Sequence, residues 1–278
     1  MDERTTVLVI GIVLPLLLVC IAILRKESEE YYTKSKQLYR NGKKHGLWET
    51  YYKNRNFFDS SDGPLRTRET YEDGYLQINE SWYENGQLEM RLKYKNGEED
   101  GLEERYHKNG SQSLKLNWKD GKMHGLLEQW YENGQLQSRG NYKDGEKHGP
   151  QEQWHENGQL KCQPSFNDGK QNGLYELWRE NGELELKIIY KNGKRQGVFE
   201  RYWENGQVFS KTNYNRGEKD GLEQAFFQNG QLFKKINYKH GKKDGLEETY
   251  REDGSQIGRL NWKDGKQDGM SESYCENG

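Results

Sequence analysis

The chain has 278 residues, of which 31% are hydrophobic, 32% charged and 13% aromatic. So few aliphatic side chains argue against one thick globular core, and so many aromatics argue against a disordered chain. Forty-three basic and 45 acidic side chains nearly cancel, which leaves no electrostatic case for nucleic acid. Cys20, Cys162 and Cys275 are scattered, with neither a disulfide framework nor a metal-binding spacing.

Residues 1–4 read as a short polar tail. Thr5 to Leu24 is a run of 20 residues without a charge. A helix of that length spans about 30 Å, the thickness of the hydrocarbon layer, so the run predicts one transmembrane helix over 5–24. A cleaved signal peptide is the rival reading, but the run is long for one and no small-x-small site closes it. Arg25, Lys26, Lys34, Lys36 and Arg40 follow the run, and only Arg4 precedes it. The positive-inside rule then places the remainder in the cytoplasm. Residues 25–36 read as a polar linker.

From 37 to 278 the chain reads as a tandem array. Gly134, Gly158, Gly182, Gly206 and Gly230 stand 24 residues apart, and two further series keep the same step: Gly121, Gly145, Gly169, Gly193, Gly217 and Gly125, Gly149, Gly173, Gly197, Gly221. Such phase-locked series mark a repeat architecture of about ten units. The first two units, around Gly42 and Gly74, are degenerate, as terminal caps are.

Each repeat is counted here from the glycine of the Gly121 series. Leu is commonest at position 6, Glu stands at 8, an aromatic at 10, Asn-Gly at 13–14 and a second aromatic at 22. The period-two pattern over 6–10 and 16–22 predicts two short strands. A two-residue type I′ turn at Asn-Gly would set aromatics against polar residues. A three-residue Glu-Asn-Gly loop with a bulge at Gly instead sets Trp130 beside Leu136 and Trp178 beside Leu184, and is preferred. Gly at positions 1 and 5 serves the opposite turn. The expected fold is all-β: an elongated antiparallel meander or solenoid of hairpin repeats, preceded by the transmembrane helix.

In that register, position 8 shares a face with two stacked aromatic columns that replace a core. This structural ladder includes Trp130, Trp154, Trp178 and Tyr202, with Tyr142 and Tyr190 in the second column, and Glu128, Glu152 and Glu176 beside them. The position-8 carboxylates are expected to accept hydrogen bonds from turn amides or a Tyr hydroxyl. They lie two strands, about 10 Å, apart and so form no acid–base dyad. Position 19 faces the other way, opposite position 7. Arg139, Lys187 and Lys211 then meet Leu127, Tyr175 and Phe199 without an acidic partner. These six form a candidate amphipathic basic stripe for an acidic protein or acidic lipid headgroups. Pro150 and Pro164 fall directly opposite one another and predict a weak ladder. The six histidines form no metal site. No catalytic residue, metal or cofactor is expected.

The run Trp130-Tyr131-Glu132-Asn133-Gly134-Gln135-Leu136, followed by Tyr142-Lys143-Asp144-Gly145 and then Gly149, resembles the MORN-repeat variant of bacterial proteins, which includes the YwqK-type antitoxin-like family. The resemblance covers 37–278 and implies a binding or scaffolding module without catalytic machinery. The expected protein is a single-pass membrane protein whose repeats bind a protein partner. Neutralisation of a toxin and binding of a wall polymer are the alternatives. Protease added to intact cells should leave residues 25–278 uncleaved; digestion from outside would overturn the cytoplasmic placement.

Overall fold

The computed structural model describes residues 31–33, 38–53 and 63–275. The expected transmembrane helix over 5–24 lies outside the described residues. No helix among the described residues is long and apolar enough to cross a membrane. Everything described is strand, turn or irregular, arranged in two compact units, Met1–Leu88 and Glu89–Gly278.

In the first unit, the long strand Lys43–Tyr52 pairs antiparallel with Leu38–Arg40, Tyr31–Thr33 and Leu65–Glu72. Leu65–Glu72 pairs onward with Tyr75–Trp82. Tyr31–Thr33 falls within the stretch expected to be linker. Its two aromatics and β-branched Thr33 suit a strand, and Thr50–Tyr52 offers the partner.

The second unit is an antiparallel meander built from hairpins of one kind. Lys122–Trp130, Leu136–Lys143 and Glu146–Trp154 show its rule. At the Glu-Asn-Gly end, Gly134 N–H donates to Tyr131 O and Tyr131 N–H donates to Gln135 O, both at 2.9 Å. Gly134 is left-handed at φ 82°, and Asn133 Oδ1 accepts the Gln135 N–H at 2.9 Å. Trp130 lies opposite Leu136 and Trp178 opposite Leu184, as the three-residue loop requires. At the other end Asp120 and Gly121 are both left-handed, φ 48° and 69°, and Lys119 lies opposite Lys122. That is the two-residue type I′ turn.

One further bulge corrects the register. Beyond the position-10/16 pair, position 17 is an extra residue. Arg105 therefore lies opposite Leu114, Glu104 opposite Lys115 and Glu103 opposite Leu116. Position 19 faces position 8, not position 7. Because side chains alternate, this slip turns positions 18, 20 and 22 to the face opposite 8 and 10. The two aromatic columns thus occupy opposite faces of the sheet. Pro164 is moved as well: it faces Gln151, whose N–H donates to Pro164 O at 2.7 Å, while Pro150 faces Ser165. The expected weak ladder is present, since this stretch is divided into Leu160–Cys162 and Ser165–Asn167.

Position 20 supplies most of the buried aliphatic side chains. Leu92, Leu116, Ile188 and Ile236 are at most 8% exposed. Ile236 is covered by cross-strand Glu223 and Glu247, over which the stems of Lys219 and Lys243 fold to make ion pairs.

Position 24 is left-handed in every described turn of this type. Its occupants are Asn or Asp except at Arg216 and His240, both at φ 50°. Arg gains nothing from a local hydrogen bond there, unlike Asn. Arg216→Asn should raise stability by about 0.5–1 kcal/mol and His240→Asn by less. Denaturant titration checks this; a loss of stability in Arg216→Asn would refute the strain.

Candidate protein-interaction face

The corrected register builds an alternating charge row across the sheet. Lys115 lies between Glu104 and Glu128, Arg139 between Glu128 and Glu152, and Lys187 between Glu176 and Glu200. Contacts follow the register: Arg139 Nη2–Glu152 2.6 Å, Lys187 Nζ–Glu176 3.5 Å, Lys211 Nζ–Glu200 2.9 Å and Lys235 Nζ–Glu248 2.6 Å. The first unit has its own short version, Glu49–Arg68–Glu80, at 2.9 and 3.9 Å. Two amides interrupt the row. Gln163 donates to Glu152 at 3.1 Å, and Gln224 stands between Lys211 and Lys235.

The stripe expected from sequence is therefore divided. Arg139, Lys187 and Lys211 share one face and have carboxylate partners. Leu127, Tyr175 and Phe199 lie on the opposite face, where Tyr175 and Phe199 meet Tyr190 and Tyr214 edge-on at 6.3 and 6.2 Å. The slip caused by position 17 separates them.

Where position 10 is Tyr, Glu at position 8 accepts its hydroxyl, as expected: Tyr202 to Glu200 at 2.9 Å and Tyr250 to Glu248 at 3.1 Å. Glu128, Glu152 and Glu176 have Trp two residues on instead. The hydrogen bond from Lys211 is the largest influence holding the Glu200 carboxyl below its ordinary value of 4.5. Burial, then the bond to Glu200, pushes the Tyr202 hydroxyl up to about 12. The position-7 carboxylates serve the other face. Glu103, 2% exposed, accepts from Trp118 Nε1 at 2.6 Å and Arg105 Nε at 2.5 Å.

Rings within one column do not stack on one another. They are two strands, about 10 Å, apart, beyond ring-contact distance. In the position-22 column, cations from position 3 lie over the rings: Lys147 over Phe166, Arg195 over Tyr214, Lys219 over Tyr238 and Lys243 over Trp262, at 4.2–5.3 Å.

The Glu-Asn-Gly edge is stitched from repeat to repeat. Asn133 Nδ2 donates to Glu156 O at 3.1 Å and Asn157 Nδ2 to Glu180 O at 2.7 Å. Position 11 adds a second stitch: Tyr131 Oη donates to Trp154 O at 2.9 Å, and Arg179 Nη2 to Tyr202 O at 2.9 Å. His107 and His155 occupy this same place, with Nε2 at 2.9 and 2.8 Å from Trp130 O and Trp178 O. Among the described residues no group of His, Cys, Asp and Glu could hold a metal ion.

On the charge-row face, positions 6 and 21 leave aliphatic side chains in solvent. Leu126, Leu174, Ile189 and Val198 are 38–47% exposed, and Leu174 lies directly opposite Ile189. This face thus carries three parallel rows, aliphatic, charged and aromatic. The register read from sequence set position 6 opposite 20 and turned position 21 to the other face, which hid the aliphatic row; Ile189, where other repeats have Asn117, Asn141 or Asn213, was the available signal.

The fold and this face define a repeat protein of β-hairpins whose surface is periodic. Six segments, 78–96, 123–144, 147–168, 171–192, 195–216 and 219–240, match the family described as MORN repeat variant. No curated protein matches the chain.

The gap at Gln224 gives a direct test of the charge row. Gln224→Glu should stabilise by about 0.5 kcal/mol, the worth of an exposed cross-strand pair. A carboxyl with a depressed folded pKa contributes stability above its unfolded value and loses it as pH falls through the folded one. The gain should therefore be present at neutral pH and vanish as pH falls below 4.5, the ordinary value for Glu. Urea titrations at both pH values decide it; a gain that persists in acid would exclude the ion pairs as its source.

Proposed function

We propose that the chain is a membrane-anchored protein-binding module, held by residues 5–24 and engaging its partner through the face that carries the three rows. The observation that supports this most is the aliphatic row. Leu174, Ile189 and Val198 are exposed together beside paired charges. Apolar residues rimmed by polar ones are the usual mark of a contact surface. MORN repeats are commonly protein- or membrane-binding modules, which agrees with it. The action is binding without catalysis: Arg139, Lys187 and Lys211 are engaged by carboxylates and so act as a patterned surface. An antitoxin-like role would use the same face and differ only in the partner.

Burying one Leu or Ile contributes about 1.5–3 kcal/mol. Leu174→Asp with Ile189→Asp should therefore reduce recovery of proteins cross-linked to the intact chain in cells by roughly tenfold or more. Ile257→Asp, at the position-17 bulge and on a side chain 38% exposed, should leave recovery unchanged. Equal recovery in all three would end the assignment of this face.

A further inference from the structure

We propose that the cleft between the turns Asn192-Gly193 and Arg216-Gly217 binds a discrete phosphate-bearing ligand. The site lies on the Asn/Asp-Gly edge of the sheet and does not depend on the interaction face. Lys191, Asn192, Lys194, Gln196, Asn215 and Arg216 line about 590 Å³. Three of these are cations, three are amides and none is a carboxylate.

The equivalent cleft two repeats earlier has the opposite charge balance. Lys143, Asp144, Glu146, Lys147, His148 and Asp168 line it, two lysines against three carboxylates. Between 191 and 216 every one of those acids has been exchanged, Asp144 for Asn192, Glu146 for Lys194 and Asp168 for Arg216. Among the described residues Lys191, Lys194 and Arg216 make no ion pair. The nearest carboxylate in register, Glu218, lies opposite Asn215.

Two features of the cleft work against the fold. Lys191 lies directly opposite Lys194, and like charges so placed are destabilising. Arg216 holds a left-handed backbone at φ 50°, where Asn or Asp stands in most other repeats. Other turns also carry lysine pairs: Lys119 and Lys122 flank Asp120, beside Asp100, and Lys263 and Lys266 flank Asp264, beside Asp244. Lys239 and Lys242 flank His240, and there the acid is Asp220, next to Lys219, whose carbonyl accepts the Gly241 N–H. At 191–194 the corresponding groups are amides. Asn172 Oδ1 accepts the Asn192 N–H at 3.3 Å, and Gln196 Oε1 accepts the Arg216 N–H at 3.1 Å.

A phosphate monoester supplies the missing charge. Its oxygens accept from two ammonium groups and a guanidinium, and Asn and Gln NH₂ groups can donate to the rest. The concave form and the restriction to one cleft favour a discrete group over an anionic bilayer, which would meet every lysine turn along the edge.

The test is titration of the full-length chain with inorganic phosphate and with pyrophosphate, followed by backbone amide NMR. Saturable shifts confined to residues 191–196 and 215–217 are expected. Lys191→Gln with Lys194→Gln should weaken binding roughly tenfold or more, since each charged hydrogen bond contributes about 1.5–3 kcal/mol. Arg216→Asn should weaken binding while raising the melting temperature, whereas His240→Asn should leave binding unchanged. Linear shifts at all lysine turns, or wild-type affinity in the lysine double variant, would overturn the proposal. So would binding to phosphatidylserine vesicles that the lysine variant abolishes when neither phosphate nor pyrophosphate saturates the cleft.

Discussion

The left-handed backbone at four positions of each regular repeat is the constraint on which the rest depends. Gly at 14 closes the three-residue loop, the residue at 24 and Gly at 1 make the type I′ turn, and Gly at 5 absorbs the bulge behind it. L side chains seldom adopt these angles, and glycine does so without a Cβ penalty. With turns and bulges fixed, position 19 meets position 8 on both sides, and position 22 meets Gly at position 5 on one side and position 3 on the other. The charge row and the cation-covered rings are consequences of backbone geometry at the two edges.

A sheet of this kind has little else to hold it. Among the described residues few hydrophobic side chains are fully buried, and each is covered by its strand neighbours. Ile236 is enclosed by Glu223 and Glu247 and the lysines that pair with them. Individual surface pairs contribute tenths of a kcal/mol, but most hairpins repeat them, and an Asn stitch joins most loops to the next. Stability is then a sum of neighbour terms, as in other arrays. The stretch around Pro150 and Pro164, where the ladder divides, is the natural place for that sum to run low.

The repeat, both strands and the Glu-Asn-Gly loop were legible because glycine spacing and period two report directly on backbone geometry. The bulge at position 17 was not. Nothing marks it as an extra residue, since Gln137, Lys161, Phe209 and Phe233 share no property that a bulge demands. One undetected residue turned half of each repeat to the wrong face. It gave Lys187 the partner Tyr175 in place of Glu176 and hid the alternation of charge that was already in the sequence. The exposure of Leu174 and Ile189 was lost to the same slip. The carbonyl stitches by His107 and His155 could not be read at all, because they depend on how closely successive loops approach.

An array of near-identical repeats carries its own control. A side chain that recurs along the array is explained by the contact it makes with the neighbouring copy, as Asn133 is by Glu156 O and Glu128 by its pairing with Lys115. A departure that suits the fold as well needs no further cause; Gln163, which still donates to Glu152, is of that kind. The informative departures are those that the fold tolerates at a loss. A turn cleft that leaves an opposed lysine pair without any acid, and places an arginine where asparagine is easier, is a loss on two counts at one place. Gln224 also breaks a favourable row, but it leaves no charge concentrated and no cleft emptied of its counter-charge. Physical cost concentrated within about one repeat length therefore separates the 191–216 cleft from the ordinary variation of the array.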